Sequence, residues 1–278
     1  MGNRAELGTF LRSRRARIKP EDAGLRQYGE RRRVPGLRRE ELAQLAGVSV
    51  DYYVRFEQGR AENVSDTVID AVATALRLDQ FERQHLLHLV RPDHTGARPA
   101  QQVRPGLRRL LDSMADTPAF VLGRRTDILA WNEPFAALLD VDLDALPPAR
   151  RNKTWLAFCH PVVRERYVNW ETKAADLVAQ LRMDHGRHQC DPEFHDFLTR
   201  ISAESDDFRR HWEAQEVREK NHGRYHLRHP AAGEFTLDYE CLLVPDDTAQ
   251  FLVVYTAEPG SPSEAALRLV NSRVSAAS

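Results

Sequence analysis

The sequence predicts a two-domain α+β chain, all-helical in its N-terminal part and built around an antiparallel sheet in its C-terminal part. Three observations predict this. Up to residue 90 apolar residues recur every three or four positions with no alternation; Pro and Gly then cluster in RPDHTGARPAQQVRPG, where the periodicity stops; and from Arg224 onward the period becomes two. A chain of 278 residues suits two cores of ordinary size, and 42% hydrophobic with 29% charged residues is the balance of a folding, globular chain. The expected division is 1–90, a linker over 91–106, and 107–278.

The first helix falls in LGTFLRSRRARI, with Leu7, Phe10, Leu11 and Ile18 at helical spacing, and a Pro-, Gly- and Arg-rich connector runs from Pro20 to Gly36. LRREELAQLAG, SVDYYVRFEQG, DTVIDAVATALRL and DQFERQHLLHLV supply four more helices. Beyond the break, AFVLGRRTDILAWN reads as two short strands around a polar turn. EPFAALLD begins a helix with Asn132 as N-cap and Pro134 in its first turn. Helical stretches continue through Val217. In GEFTLDYECLL, Phe235, Leu237, Tyr239 and Cys241 share one face, and FLVVYTAE follows the turn PDDTAQ. Two early strands and about three late ones close an antiparallel sheet, with the helices between them laid across one face.

The sharpest local pattern is LRREELAQLAGVSVDYYVRFEQGR. Its first helix carries Leu42, Leu45 and Ala46 on one face, and Gly47 ends it where positive φ is favoured. Val48 packs inward, Ser49 caps the next helix, and Tyr53 with Phe56 form that helix's buried stripe; Ala43 is small where two helices cross. With Tyr53 and Phe56 inside, Val50, Asp51, Val54 and Arg55 face outward, because 3.6 residues per turn leaves no other face. This is the geometry of a helix-turn-helix, whose second helix enters the DNA major groove. A two-helix protein-interaction unit or an ordinary helical core would use the same helices. Charge favours DNA: residues 1–60 hold 14 Lys and Arg against 8 Asp and Glu, whereas 101–278 hold 22 against 27, under a formal net charge of -1.

The stretch resembles the lambda-repressor-like, or XRE, DNA-binding domains, and FEQGR is similar to that family's close to its recognition helix. The resemblance implies base-facing positions for Val50, Asp51 and Arg55 and phosphate-facing ones for Arg39, Tyr52 and Arg60. Arg38 joins Arg39 through its place at the entry to the motif. The expected DNA-facing set is therefore Arg38, Arg39, Ser49, Val50, Asp51, Tyr52, Arg55 and Arg60. Arg55 is the expected specificity residue, since arginine can bond guanine N7 and O6 together; Asp51 either accepts from a cytosine amine or orients Arg55.

Over nearly its whole length the chain also resembles the MmyB-like transcription factors. The residues that carry this are PGLRREELAQLAGVSVDYYVRFEQGR, AWNEPFAALL, LRMDHGRHQCDP, SDDFRRHWEAQEV, HPAAGEFTLDYECL and VVYTAEPGSPSEAAL. The resemblance implies a five-helix DNA-binding domain followed by a PAS-like α/β ligand-binding domain that encloses a small hydrophobic molecule such as a fatty acid. Trp131, Phe135, Trp155, Phe158, Tyr167, Trp170 and Trp212 either line a cavity for it or fill a solid core. Arg151 and Arg182 lie beside apolar stretches and can fix a carboxylate, although pairing with a surface acid is the ordinary state of an arginine. Expected partners are a double-stranded DNA operator, the small hydrophobic ligand and a second copy of the chain, since helix-turn-helix proteins commonly bind palindromes as dimers.

Other chemistry finds little support. MDHGRHQCDPEFH gathers His185, His188, Cys190, Asp191 and His195, with His222, His226 and His229 downstream, yet the spacing matches no common zinc pattern, and no metal or cofactor is assigned. By the resemblance this segment is a variable loop leading into an Asp-Pro helix start at Asp191 and Pro192. There is no GxSxG, phosphate-cradling glycine loop, dinucleotide fingerprint or HExxH, so no enzyme is expected; a metal-assisted hydrolase on the histidine cluster and a ligand-free dimerisation or docking module are the alternatives. Cys159, Cys190 and Cys241 are odd in number and far apart, which indicates packing rather than a disulfide framework. No apolar run approaches the roughly 20 residues that span a bilayer, and MGNRAELGTFLRSRRARI lacks a signal peptide's apolar stretch, so no membrane partner and a cytoplasmic location are expected.

Overall fold

The computed structural model describes residues 3–24, 36–91, 100–218, 221–245 and 250–275. It divides into two compact units, Met1–Gly96 with His185–Asp191, and Ala97–Asp184 with Pro192–Ser278. Parts of the expected connector (25–35), linker (92–99) and turn (246–249) lie outside the described residues. Among the described residues no helix is long and apolar enough to cross a membrane.

The first unit contains the five expected helices, α1 (Asn3–Arg17), α2 (Arg39–Leu45), α3 (Val50–Glu57), α4 (Asp66–Ala75) and α5 (Gln80–Val90), with a 3-10 turn at Pro20–Ala23. Side-chain oxygens start the later helices: Ser65 Oγ accepts from the Val68 amide at 3.3 Å, and Asp79 accepts from Phe81 and Glu82 while Glu82 reaches back to the Asp79 amide. Phe10, Leu11, Leu42, Tyr53, Phe56, Val72 and Leu86 are fully buried, each contributing about 1.5–3 kcal/mol by removal from water. Leu45 departs from the expected face. It is 38% exposed while Leu42 and Ala46 are buried, because Leu45 lies three residues past Leu42 on the solvent side of a helix only two turns long.

The second unit has α6 (Pro105–Ser113), β1 (Ala119–Leu122), β2 (Ile128–Trp131), α7 (Glu133–Leu139), α8 (Lys153–Cys159), α9 (Pro161–Arg166), α10 (Trp170–Arg187), α11 (Pro192–Glu204), α12 (Asp206–Glu213), β3 (His222–His229), β4 (Gly233–Leu243), β5 (Phe251–Thr256) and α13 (Pro262–Ser275). The five strands form an antiparallel sheet in the order β2-β1-β5-β4-β3, so the two early and three late strands meet at β1 and β5. Its inner face carries Phe120, Tyr225, Leu237, Tyr239, Cys241, Val253 and Tyr255 against the apolar sides of α7 to α12. The alternating face expected of Phe235, Leu237, Tyr239 and Cys241 is buried as a set.

The helices between the early and late strands, α7 to α12, cover one face as expected, and α6, which precedes β1, covers the other. Leu107 and Leu111, four residues apart, pack on Ala119, Val121, Ala130 and Leu252 of the other face. RPG at its start reads as linker, but Pro105 stands in the first helical turn, where the missing N–H loses nothing.

Asn132 ties α6, β1 and α7 together. Its Oδ1 accepts from the Ala119 amide at 2.9 Å and the Phe135 amide at 3.2 Å, and its Nδ2 donates to the Met114 and Thr117 carbonyls at 2.9 and 2.8 Å. Asn132→Ala removes a cap and leaves buried backbone groups unsatisfied, which we expect to cost about 3 kcal/mol. All four tryptophans lie in this unit, so urea unfolding followed by their emission measures the loss; a change below about 0.5 kcal/mol would show that Asn132 is replaceable.

Candidate functional site

Gly47 takes φ +66° between α2 and α3, the left-handed conformation the turn requires. Ser49 Oγ then accepts from the Tyr52 amide at 3.2 Å and fixes the start of α3. Val50 (44% exposed), Asp51 and Arg55 face solvent, and Tyr52 and Val54 are half-buried. Arg55 lies 6.0 Å from the centre of the Tyr52 ring, and no ion pair joins it to Asp51 among the described residues. Arg38, Arg39 and Arg60 are exposed along the same motif, with the Arg38 amide donating to Glu41 at 2.6 Å.

Arg39 has a second engagement that its expected role does not include. Its Nε and a terminal nitrogen reach Glu57 Oε1 at 2.8 and 2.7 Å; Glu57 Oε2 accepts from Arg15 Nε at 3.3 Å and from the Tyr53 hydroxyl at 3.1 Å. Glu57 is completely buried. One carboxylate therefore joins α1, α2 and α3, and burial, with Glu57 adding to it, pushes the Tyr53 hydroxyl far above its usual range. Glu57 was not singled out from the sequence, though its place four residues after Tyr53 puts it on the buried stripe.

In the second unit the eight expected ligand-contacting residues lie in different surroundings. Trp131 lines an open pocket of about 570 Å³ with Arg124, Arg125, Arg151, Phe197 and Arg200. Arg151 lies 5.5 Å over the Trp131 ring and donates to the Leu146 and Asp144 carbonyls at 3.0 and 2.8 Å. Trp155 lines a smaller pocket of about 160 Å³ with Phe197, Arg200 and Ile201, and donates to Glu204 at 2.7 Å. Phe135, Phe158, Tyr167 and Trp170 belong to the buried core: Phe135 stacks on Phe120 at 4.3 Å, and Trp170 donates to the Ala157 carbonyl at 3.0 Å.

Arg182 is fully buried, where an arginine is ordinarily found paired at the surface. It donates to Gln215 at 3.1 Å and to the Trp212 carbonyl, and its guanidinium lies 3.9 Å over the Trp212 ring. Among the described residues no group of three or more His, Cys, Asp or Glu is placed to hold a metal ion.

A polar cluster absent from the sequence reading lies on the inner face of the sheet. Tyr225 and Tyr239 stack at 4.5 Å, Tyr255 stands 6.3 Å from each, and Tyr167 meets Tyr225 edge-on at 5.6 Å. Lys173 Nζ lies 3.8 Å over the Tyr225 ring. Burial raises every hydroxyl of the four, Tyr239 to about 12, and Lys153, buried nearby, is shifted the opposite way for the same reason. Period two had placed Tyr239 and Cys241 on this face; nothing local to KTWLAFC turns Lys153 toward it.

A presented helix behind a glycine turn has the geometry of a helix-turn-helix, and the second unit lays helices across an antiparallel sheet. The family comparisons give the same two parts. Residues 6–86 match a helix-turn-helix domain, and residues 103–270, more than half the chain, match the MmyB-like transcription regulator ligand binding domain. The chain belongs to the MmyB-like family and is a ligand-regulated transcription regulator. No curated protein matches it.

Glu57→Gln would leave Arg15, only 12% exposed at its side chain, without its counter-charge. Loss of one partner of a buried pair costs about 3–5 kcal/mol; with Arg39 half in solvent we expect about 2–3. Amide hydrogen exchange across α1 to α3 reads this directly, and unchanged protection would refute the bridging role.

Proposed function

We propose that the first unit reads a specific DNA operator through the N-terminal turns of α3, with Val50, Asp51 and Arg55 at base edges and Arg38, Arg39, Tyr52 and Arg60 at phosphates. The observation that carries this reading is the exposure of Val50, Asp51 and Arg55 on a helix whose start is capped by Ser49 and whose buried side is held by Glu57. Arg55 has the reach and the free donors for guanine, and Val50 offers methyl groups to thymine. Ser49 spends its oxygen on the cap, so its part is positional. The operator is expected to be palindromic and bound by a homodimer, with half-sites spaced by whole turns of the duplex.

We further propose that the second unit binds a small hydrophobic molecule of the fatty-acid kind and that occupancy changes operator affinity. Support comes from the family and from the aromatic interior. A ligand shifts the regulator only as far as it prefers one state, and coupling energies of about 1–3 kcal/mol correspond to changes of about 5- to 150-fold. Residues 91–106 are proposed as the boundary between the two functions.

DNA titrations with salt variation test the operator reading. About four to six phosphate contacts per protomer give a log-log slope near -0.9 for each. Arg55→Ala is expected to cost about 1–3 kcal/mol at the preferred site and to flatten discrimination at one base pair. Arg60→Ala is expected to weaken specific and random DNA alike; it is a cleaner phosphate probe than Arg39→Ala, which also breaks the Glu57 pair. Equal losses on specific and random DNA for Arg55→Ala would remove it from base reading.

A further inference from the structure

The interior of the second unit holds more positive charge than its own buried acids match. Among its described residues Arg124, Lys153, Arg166, Lys173 and Arg182 are buried, against one buried carboxylate, Asp176. Arg166 bonds to Asp140, Arg182 to Gln215 and the Trp212 carbonyl, and Lys173 lies over tyrosine rings. Lys153 is different. It is 7% exposed, the Phe120 ring centre lies 5.5 Å from Nζ, and no hydrogen bond or ion pair reaches that nitrogen among the described residues.

Its neighbours keep it inside. Asn152, fully buried, caps α8 by accepting from the Trp155 amide at 2.9 Å and donates to Asp127 and the Arg125 carbonyl at 2.8 and 2.7 Å. Thr154, also fully buried, meets Thr126 hydroxyl to hydroxyl at 2.7 Å. The residues on both sides are pinned, which holds Lys153 at the buried start of α8. A lone ammonium in such surroundings is costly, and proteins retain one where a counter-charge arrives.

We infer that Lys153 anchors the anionic head group of an amphiphile taken up by the second unit, an assignment that rests on the reading of that unit as a sensor of hydrophobic molecules. The head group supplies the acceptor that the amine lacks, and the packed aromatic side chains between sheet and helices must part to admit the apolar tail.

The groups facing Lys153 set the proton balance. From β1 comes the uncharged Phe120 ring. Cys241 on β4 is held as a neutral thiol by burial, against the pull of Lys153 and Lys173. From α10 come Asp176, 3.8 Å from Arg218, and Lys173, both acting at a distance. In the empty unit burial shifts Lys153 toward the neutral amine, and the negative charge of Asp176 opposes that shift. An arriving carboxylate favours the ammonium, so any amine that burial has left neutral takes up a proton from solvent as the ion pair forms. Affinity for the anion accordingly falls as pH rises, because fewer protons are available to complete the pair.

The test uses the full chain and two probes of equal tail length, dodecanoate and 1-dodecanol, titrated by tryptophan emission and by calorimetry in buffers of different ionisation heat. Wild type is expected to prefer dodecanoate by about 10-fold or more, the weight of one charge-assisted hydrogen bond, and to take up protons on binding it. Lys153→Met is expected to lose that preference while keeping dodecanol affinity within about 3-fold. Lys153→Arg, permanently charged, is expected to keep the preference and bind dodecanoate with no proton uptake, a result that a merely structural lysine would not produce. Equal affinity of wild type for the two probes, or an unchanged preference in Lys153→Met, overturns the anchor and leaves the sensor reading standing. Failure of wild type to bind either probe overturns both.

Discussion

The DNA-reading half of this regulator depends on one buried carboxylate. Glu57 stands at the end of the helix it serves and receives Arg15 from α1, Arg39 from α2 and the Tyr53 hydroxyl from α3. A carboxylate without solvent is stable only when its oxygens are saturated by donors, and here three separate helices supply them. The angle at which α3 is presented thus follows from electrostatics as much as from the apolar stripe of Tyr53 and Phe56. Arg39 belongs to both tasks, being bonded inward to Glu57 and 46% exposed at its side chain.

The ligand-binding half uses neutral amides at the junctions of its strands and helices. Asn132 and Asn152 each satisfy several buried backbone groups at the junctions of strands and helices, and they hold the sheet's edges while its middle is left to tyrosines and lysines. Polar groups inside a core weaken it unless they are matched, so a ring of tyrosine hydroxyls and buried amines is an expensive way to fill space. The open pocket beside Trp131 and Arg151 is of another kind, lined by four arginines, of which Arg125 bonds to Asp127 and Glu193 and Arg151 to backbone carbonyls.

Most of the architecture was legible along the chain. Helical spacing located α1 to α5, the glycine at 47 located the turn, and period two located β4 and its buried face. The misses have local causes. Pro105 and Gly106 made the start of α6 read as linker, although a proline in a first turn is compatible with a helix. Leu45 matched the helical period but lies on the open side of a two-turn helix. The aromatic residues left open between pocket and core fall on both sides: Trp131 and Trp155 line pockets, whereas Phe135, Phe158, Tyr167 and Trp170 are packed into the core.

The sequence by itself determined which residues lie on which face of each helix and strand, because 3.6- and 2-residue periods are properties of the local backbone. It also determined the family, since the helix-turn-helix and the ligand-binding domain are both carried by contiguous segments. Only the tertiary structure decided which charged groups share an interior. Glu57 finds Arg15 and Arg39 from 42 and 18 residues away. Lys153 is turned toward Phe120 and Cys241 by contacts of Asn152 and Thr154 with residues more than 20 positions distant. Burial of a charge depends on what the rest of the chain brings around it, and no period along the sequence encodes that.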